Sequence, residues 1–347
     1  MANLLIIGNG FDLAHDLKTS YSHFIRYIIE EKLIDNNKFK ELVLDLKNLT
    51  YDSVIKKVRN GDTFFHDNFP NLLFRGLLRN EALYNWCDIE AEYFKHLNNI
   101  GEGKGNKYYN SAKKLNYDFD VLKKYLEKYL IDQEKYFSKL KVYSDFFNSI
   151  NKKDTVILNF NYTRCLKKYI SNDYQGKVIN IHGELENEDN PIIFGYAADK
   201  SETKQFLGYG KEYIRNIKKH CYKITDNRNK LKEYLDKTKN IEVSILGHSC
   251  GISDKLILFE IFSHDNVSKI RIFHHENYEN YLNTQANITS ITKDDEEIFD
   301  KLINYDKKMT MPQKEDKSYN LFIEYIKSMI EEQNIIKRKS TKKIRGC

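Results

Sequence analysis

Short apolar runs alternate with amphipathic segments along the chain, and their spacing predicts an α/β fold. Runs of three or four residues that are mostly apolar have the length of buried strands. Six such runs stand out, at residues 4–7, 155–158, 178–181, 192–194, 243–246 and 270–273. Continuous apolar strands that alternate with helices are typical of a parallel sheet covered by helices on both faces. We therefore expect one Rossmann-like parallel sheet.

The stretch between residues 20 and 150 has helical periodicity throughout, which predicts a large helical insertion after the first strand. It begins with an N-cap signal at Ser20. An insertion of about 130 residues is too long to be a loop. We expect a Rossmann-like nucleotide-binding domain at 1–19 plus 151–300, a helical insertion at 20–150, a C-terminal helical region at 301–336 and a basic tail at 337–347.

Composition supports a folded protein and locates its charge. The 347 residues are 41% hydrophobic and 31% charged, which excludes disordered and fibrous classes. The net charge is +6, and the six basic residues between Lys337 and Cys347 account for all of it. The body is thus formally neutral, which disfavours nucleic acid as a partner, although the basic tail leaves that partner open.

The ionisable residues do not predict a metal site. The five cysteines are scattered without a C-x-x-C pair, and the histidines lack metal-ligand spacing. Asp88 and Glu90 lie two residues apart in the insertion, so they do not share a helix face. We expect these two acids to be solvated or to contact the main site.

The same features predict a cytoplasmic protein outside the membrane. Unpaired cysteines fit a reducing compartment. The apolar run near the N-terminus covers only residues 4–7 and has no basic flank, so it does not resemble a signal peptide. No run approaches the roughly 20 apolar residues that a membrane span needs.

Polar residues follow four of the predicted strands. Parallel strands end at one edge of their sheet, where ligands bind in open α/β folds. We therefore expect a single ligand site built from four segments: Gly8-Asn9-Gly10-Phe11-Asp12, Asn159-Phe160-Asn161-Tyr162-Thr163, His182-Gly183-Glu184 and Gly247-His248-Ser249.

The first of these segments resembles the opening of a dinucleotide fingerprint. Gly8 and Gly10 would let the backbone approach a phosphate at a helix N-terminus. Leu13 stands where the third glycine of that fingerprint belongs. An ordinary tight turn is the alternative interpretation.

Asn161 and His182 are the candidate catalytic pair. Histidine can act as a base near neutral pH, and a neighbouring asparagine can orient water or hold a sugar hydroxyl. The alternative is structural: His182 would bond a loop carbonyl, and Asn161 would cap a helix starting near Arg164.

Residues 247–251 also match the G-x-S-x-G pattern of a nucleophile elbow. A serine hydrolase would then use Ser249 with Asp265 and either His274 or His275. Ser253-Asp254 reads instead as the N-cap of the next helix, which would leave Ser249 in a loop.

The ordered set of motifs resembles the bacteriophage abortive-infection AbiH family. The resemblance rests on Leu5 to His15, Thr19-Ser20-Tyr21, Trp86-Cys87-Asp88-Ile89-Glu90, Asn159 to Thr163, Ile181-His182-Gly183 and Gly247-His248-Ser249, in that order. It implies a bacterial antiphage protein that stops infected cells from producing phage after a phage-derived trigger.

The same layout is more distantly similar to sirtuin-like NAD-binding domains of phage-defence effectors. That resemblance implies NAD as substrate or ligand, with Asn161 and His182 in the catalytic positions. It also implies nucleotide contacts from Gly8, Asn9, Gly10, Phe11, Asp12, Asn159, Gly183, Gly247, His248 and Ser249. Thr163 departs from the pattern, where an aspartate is expected, and the absent cysteine pairs argue against acetyl-lysine chemistry.

The resulting hypothesis is hydrolysis of the bond between nicotinamide and ribose, with His182 as base on a ribose hydroxyl. Two alternatives stay open: a nuclease or nucleotide-sensing toxin without NADase activity, and the serine hydrolase using Ser249. Assembly into a homo-oligomer is also left open.

Overall fold

The structure, a computed structural model, describes residues 3–61, 63–84, 88–104, 111–150, 154–171, 174, 177–314, 320–329 and 331. Trp86, Cys87 and the predicted basic tail at 337–347 lie outside these residues. The chain divides into two compact units. The first comprises Met1–Leu17, Glu134–Ile193 and Tyr222–Cys347, and the second comprises Lys18–Gln133 and Phe194–Cys221.

The strands are short and the helices are of mixed length. The strands are β1 (Asn3–Ile7), β2 (Thr155–Asn159), β3 (Val178–Asn180), β4 (Ile241–Leu246) and β5 (Val267–Phe273). The helices are α1 (Gly10–Ala14), α2 (Tyr21–Ile34), α3 (Tyr51–Asn60), α4 (Thr63–Asn68), α5 (Leu72–Tyr84), α6 (Ile89–Gly101), α7 (Ala112–Gln133), α8 (Lys141–Ser149), α9 (Lys200–Tyr209), α10 (Lys211–Ile214), α11 (Lys218–Cys221), α12 (Asn227–Lys237), α13 (Lys255–Phe262), α14 (Tyr278–Thr292) and α15 (Glu296–Lys301). Residues 320–329 are also helical.

The first unit contains a five-stranded sheet in the order β3-β2-β1-β4-β5, and every pairing in it is parallel. The predicted α/β class with a parallel sheet is confirmed. β1 is central because both its faces are apolar: Leu4, Ile6 and Ile7 are fully buried. The chain adds β2 and β3 on one side of β1 and then returns to add β4 and β5 on the other.

One face of the sheet carries a hydrophobic core that fixes α1. Phe11 of α1 packs against the rings of Tyr143, Phe147 and Tyr169, with centroid distances of 5.1, 6.0 and 5.8 Å. The same cluster includes Leu5 and Ile7 of β1. The helix that follows the first strand is therefore anchored by a buried aromatic ring.

His15 reinforces this anchor as a neutral side chain. Its Nδ1 lies 2.6 Å from the carbonyl oxygen of Phe11, and a carbonyl only accepts, so Nδ1 carries the proton. Nε2 then accepts from the Tyr169 hydroxyl at 2.7 Å. Burial lowers the pKa of His15 to about 4, in keeping with a structural role.

The described residues between 20 and 150 form helices and no strand, and Ser20 caps α2 as predicted by accepting from the His23 amide. The expected strand at 192–194 is wrong, because these described residues form no strand. The Ile193 amide donates instead to the His182 carbonyl at 2.7 Å, so the run is buried beside the β3 loop without joining the sheet.

In the second unit, Asp88 and Glu90 have separate structural roles. Asp88 is the N-cap of α6 and accepts from the amides of Glu90 and Ala91. Glu90 is buried and accepts from the Lys218 ammonium group at 2.9 Å and from the Gly195 amide at 2.8 Å. The expectation that Glu90 is solvated is therefore wrong.

Within the described ranges, none of the helices combines the length and the apolar character that crossing a membrane would require.

Candidate functional site

The turn after β1 lies directly against the loop after β4. The Gly8 amide donates to the Leu246 carbonyl at 3.1 Å, and the Gly10 amide donates to the Gly247 carbonyl at 2.7 Å. A Cβ atom on Gly8 would lie 2.6 Å from the Cα of His248, and one on Gly10 would lie 2.7 Å from the Cα of Gly247. Both glycines are thus required by the contact between two backbone segments.

This contact bears on the predicted approach of a phosphate to the glycine turn. The amides of Gly8 and Gly10 already have protein acceptors, so a phosphate could use them only if the turn separated from the β4 loop. Asn9 is exposed at the tip of the turn, whereas Phe11 points into the core described above. Phosphate binding by this turn stays a prediction.

Asn161 connects the β2 loop to the glycine turn. Its side-chain amide donates to the Gly8 carbonyl at 3.1 Å, and its backbone amide donates to the Asn159 side chain at 3.2 Å. Asn159 in turn donates to the Asn180 side chain at 3.0 Å. The ends of β1, β2 and β3 are therefore joined by side-chain amide groups, and Asn161 bonds the turn instead of capping a helix.

His182 and His248 share the carboxylate of Asp254. His182 Nε2 lies 3.1 Å from one carboxylate oxygen, and His248 Nε2 lies 3.3 Å from the other. The two histidines are 5% and 8% exposed, so these contacts are largely shielded from water. The segments that follow β3 and β4 thus converge on one ionisable cluster.

The imidazole of His248 has a defined tautomer. The Cys250 amide donates to His248 Nδ1 at 2.9 Å, so the proton of the neutral ring is on Nε2, facing Asp254. Burial raises the pKa of the Cys250 thiol well above its usual range, so it is not a ready nucleophile. Among the described residues, no group of three or more His, Cys, Asp or Glu side chains is arranged to hold a metal ion.

Aromatic rings line this cluster. The Phe160 ring lies 5.0 Å from the His182 ring and 4.3 Å from the His248 ring, centroid to centroid. Tyr162 and Tyr222 stack on His182 at 5.9 and 6.3 Å, and the Tyr222 hydroxyl lies 3.2 Å from His182 Nε2. The rings fix the orientation of both imidazoles and lower the polarity around them.

Asp12 is a second buried acid at the same edge. Thr163 donates to its Oδ2 at 2.6 Å, while its Oδ1 has no hydrogen-bond partner among the described residues. Burial raises the pKa of Asp12 to about 7, against the opposing hydrogen bond from Thr163 and a small opposing effect of Asn161. Thr163, which departs from the sirtuin-like pattern, therefore has its own buried carboxylate partner.

A cavity of about 180 Å³ lies beside these groups, at the ends of β2 and β3. Its polar lining is internally bonded: the Lys167 ammonium and the Asn180 amide donate to Glu184 at 2.6 and 3.2 Å. Asn159, Thr163 and Glu184, which belong to the predicted ligand-site segments, line this cavity. Its lining residues are Asn159, Thr163, Leu166, Lys167, Ile170, Val178, Asn180 and Glu184.

The predicted serine-hydrolase triad is not assembled. Ser249 follows β4, whereas Asp265 precedes β5, so the two lie at opposite edges of a parallel sheet. The seven residues of β5 separate those edges by roughly 20 Å. His274 faces the Asp306 carbonyl at 3.3 Å, and Ser249 is an exposed loop residue whose carbonyl accepts from Asn287.

Sequence reasoning missed Asp254 and Tyr222. Asp254 does occupy the predicted N-cap position of α13, but its side chain makes no capping hydrogen bond there. Gly183, a predicted nucleotide contact, has φ of +77° and is packed against the Pro191 carbonyl, which gives it a backbone role. His182 and His248 indicated a site because each follows a predicted strand. Sequence spacing alone does not indicate that Asp254 is the acid that both contact.

The fold is that of an α/β protein with a parallel sheet. Its candidate site is a cluster of histidine and aspartate side chains in the loops that follow the strands. The family model described as bacteriophage abortive infection AbiH matches residues 4–276, and the chain belongs to this family. The match extends from Leu4 of β1 through β5 and includes His182, His248 and Asp254. Membership points to a role in abortive infection as a defence against phage. No curated protein matches the chain.

Proposed function

We propose that this protein acts in abortive infection by hydrolysing the N-glycosidic bond of NAD or a related nucleotide, at a sirtuin-like site in a Rossmann-like sheet. The observation that carries the proposal is the His182 imidazole held by Asp254 at 3.1 Å, at the same sheet edge as the buried amide of Asn161.

The strand order supports a ligand at this position. The chain reverses its direction of sheet growth between β1 and β4, and open α/β sheets bind ligands at such a switch point beyond the carboxyl ends of the strands. The Gly8 turn, His248 and Asp254 all belong to the segments that follow β1 and β4. A nucleotide entering here would meet the histidine cluster.

The side chains present suit N-glycosidic cleavage of NAD. The bond between C1′ and the nicotinamide nitrogen breaks, nicotinamide leaves as a neutral molecule, and water adds to C1′ and loses its proton to solvent. His182 would accept the hydrogen bond of a ribose hydroxyl and so stabilise the positive charge that develops on the sugar. Asn161 would position the water or the ribose.

Purified protein incubated with NAD and lysate from phage-infected cells tests the proposal. We expect nicotinamide release by the wild type and its loss in His182→Ala and Asn161→Ala. His264→Ala is the matched control, because His264 also pairs with an acid, Asp236 at 3.2 Å, but lies before β5 at the opposite edge. This variant should keep the wild-type rate.

Cell measurements separate the proposal from its main rival. Infected cells carrying the wild type should lose NAD, and cells carrying His182→Ala should retain it. Intact NAD in cells where the protein stops phage growth would contradict the proposal. Intact NAD with cleaved RNA would instead support the nuclease alternative.

A further inference from the structure

We infer that Asp254 is the positioning residue for His182, and that His248 holds Asp254 in place instead of contacting the nucleotide. The catalytic part of this inference rests on the proposed function. His248 was predicted to contact the nucleotide and is here given a supporting role, and Asp254 had no predicted role in the site.

One hydrogen bond and two imidazole–carboxylate contacts carry the inference. The Cys250 amide donates to His248 Nδ1 at 2.9 Å, and His248 Nε2 lies 3.3 Å from Asp254 Oδ2. The remaining carboxylate oxygen, Oδ1, faces His182 Nε2 at 3.1 Å. Both ring nitrogens of His248 are therefore engaged within the protein, which is the arrangement of a support and not of a ligand contact.

The backbone next to His248 and Asp254 has two unusual features. Cys250 has φ of +55°, a left-handed conformation that is uncommon for a residue other than glycine. Asp254 occupies the N-cap position before α13, where aspartate ordinarily caps the helix, yet its carboxylate faces the two histidines instead. The Asp254 carboxylate therefore contacts the histidine pair and makes no helix-capping hydrogen bond.

The consequence for His182 is a defined tautomer. A carboxylate can only accept, and the Tyr222 hydroxyl, 3.2 Å from the same nitrogen, can also accept, so Asp254 holds the proton of the neutral imidazole on Nε2. Nδ1 is then the proton-accepting nitrogen of His182. Without Asp254, the ring would distribute between two tautomers, of which only one presents Nδ1 as a base.

The test uses Asp254→Asn in the full-length protein. We expect kcat for nicotinamide release to fall about 100-fold, in the range of general-base contributions, while KM changes little. Asp236→Asn, which alters the His264 pair, should leave kcat unchanged. His248→Gln, whose amide can still donate to Asp254, should retain more activity than His248→Ala. Unchanged kcat in Asp254→Asn, or a change in KM alone, would overturn the inference.

A spectroscopic readout keeps the two proposals separable. Long-range ¹H–¹⁵N spectra of the wild type should show His182 and His248 protonated on Nε2, and Asp254→Asn should shift the His182 tautomer balance. This measurement does not depend on NAD cleavage. If the wild type releases no nicotinamide, the proposed function fails, and these spectra alone decide the positioning role. A wild-type His182 protonated on Nδ1 would refute that role.

Discussion

A carboxyl group enclosed by apolar side chains and backbone retains its proton to a higher pH than it does in water. Asp12 is 1% exposed, and burial raises its pKa to about 7 from 3.8. The negative charge of Glu134 acts in the same direction, while the Thr163 hydroxyl opposes it. Near neutral pH, Asp12 therefore changes charge beside the candidate site.

Asp12→Asn should reduce the pH dependence of stability. Between pH 3.8 and 7 the folded state binds the Asp12 proton more tightly than the unfolded state does, so this contribution is complete below pH 3.8 and is lost as the pH rises through 7. A shift of this size corresponds to about 4 kcal/mol in total. Urea unfolding at pH 5, 6, 7 and 8 measures it.

The comparison must be made between the variant and the wild type at each pH. His15 has a pKa lowered to about 4, so its own contribution grows with pH between about 4 and 6.5 and has the opposite sign. Subtracting the two stability curves removes that effect. Parallel curves would show that Asp12 is already ionised in the folded protein.

Single residues differ in how far their sequence context reveals their role. His182 and Asn161 stand out because polar residues follow apolar strands, and both lie at the predicted edge. Asp254 does not stand out, because the same Ser-Asp pair before a helix predicts a cap. Its role depends on a bond to His182, which is 72 residues away and visible only in three dimensions.

At the scale of elements, the turn between β1 and α1 depends on two glycines. Gly8→Ala and Gly10→Ala should each strongly destabilise the first unit, because the added Cβ would lie 2.6 and 2.7 Å from backbone atoms that cannot rotate away. Overpacking of this kind costs about 1–3 kcal/mol or more. Chemical denaturation followed by circular dichroism measures the loss.

Gly208→Ala is the matched control for the glycine variants. Gly208 lies in α9, and a Cβ there would meet no atom within 4 Å. Alanine should therefore be neutral or stabilise by about 0.5–1 kcal/mol, from its better helix propensity. If Gly8→Ala were tolerated as well as Gly208→Ala, the turn would not be packed on the β4 loop, and its amides would be accessible to a phosphate.

The strands were predictable because buried parallel strands are apolar on both faces, and all five lie at predicted runs. The sixth run, at 192–194, has the same composition, since burial against a loop selects for the same residues as burial in a sheet. Strand order was not predictable. It depends on pairing between β1 and β4, whose residues are more than 230 positions apart.

At the scale of the whole chain, residues 194–221 group with the helical unit although they follow the β3 segment. The buried pair of Glu90 and Lys218 contributes to this grouping, because it joins α6 to α11 across 128 residues. The sequence shows Glu90 and Lys218 as two charged residues among many. Only their burial, at 5% and 1% exposure, reveals that neither interacts mainly with water.

Breaking this pair should destabilise the helical unit far more than breaking an exposed pair. Glu90→Gln and Lys218→Met each leave a buried group without its ionic partner, which costs about 3–5 kcal/mol. The double variant Glu90→Leu with Lys218→Met buries no charge and should recover part of that loss, although the Gly195 amide also loses its acceptor. Asp120→Asn is the control, since Asp120 pairs with Arg215 in the same unit and both side chains are about half exposed. This variant should change the free energy of unfolding by less than about 1 kcal/mol. Urea unfolding measures the stability of each variant, and hydrogen exchange on α6 shows whether the helical unit is the part that loses stability. If Glu90→Gln and Asp120→Asn lowered the free energy of unfolding equally, the Glu90 pair would be solvated in the folded protein.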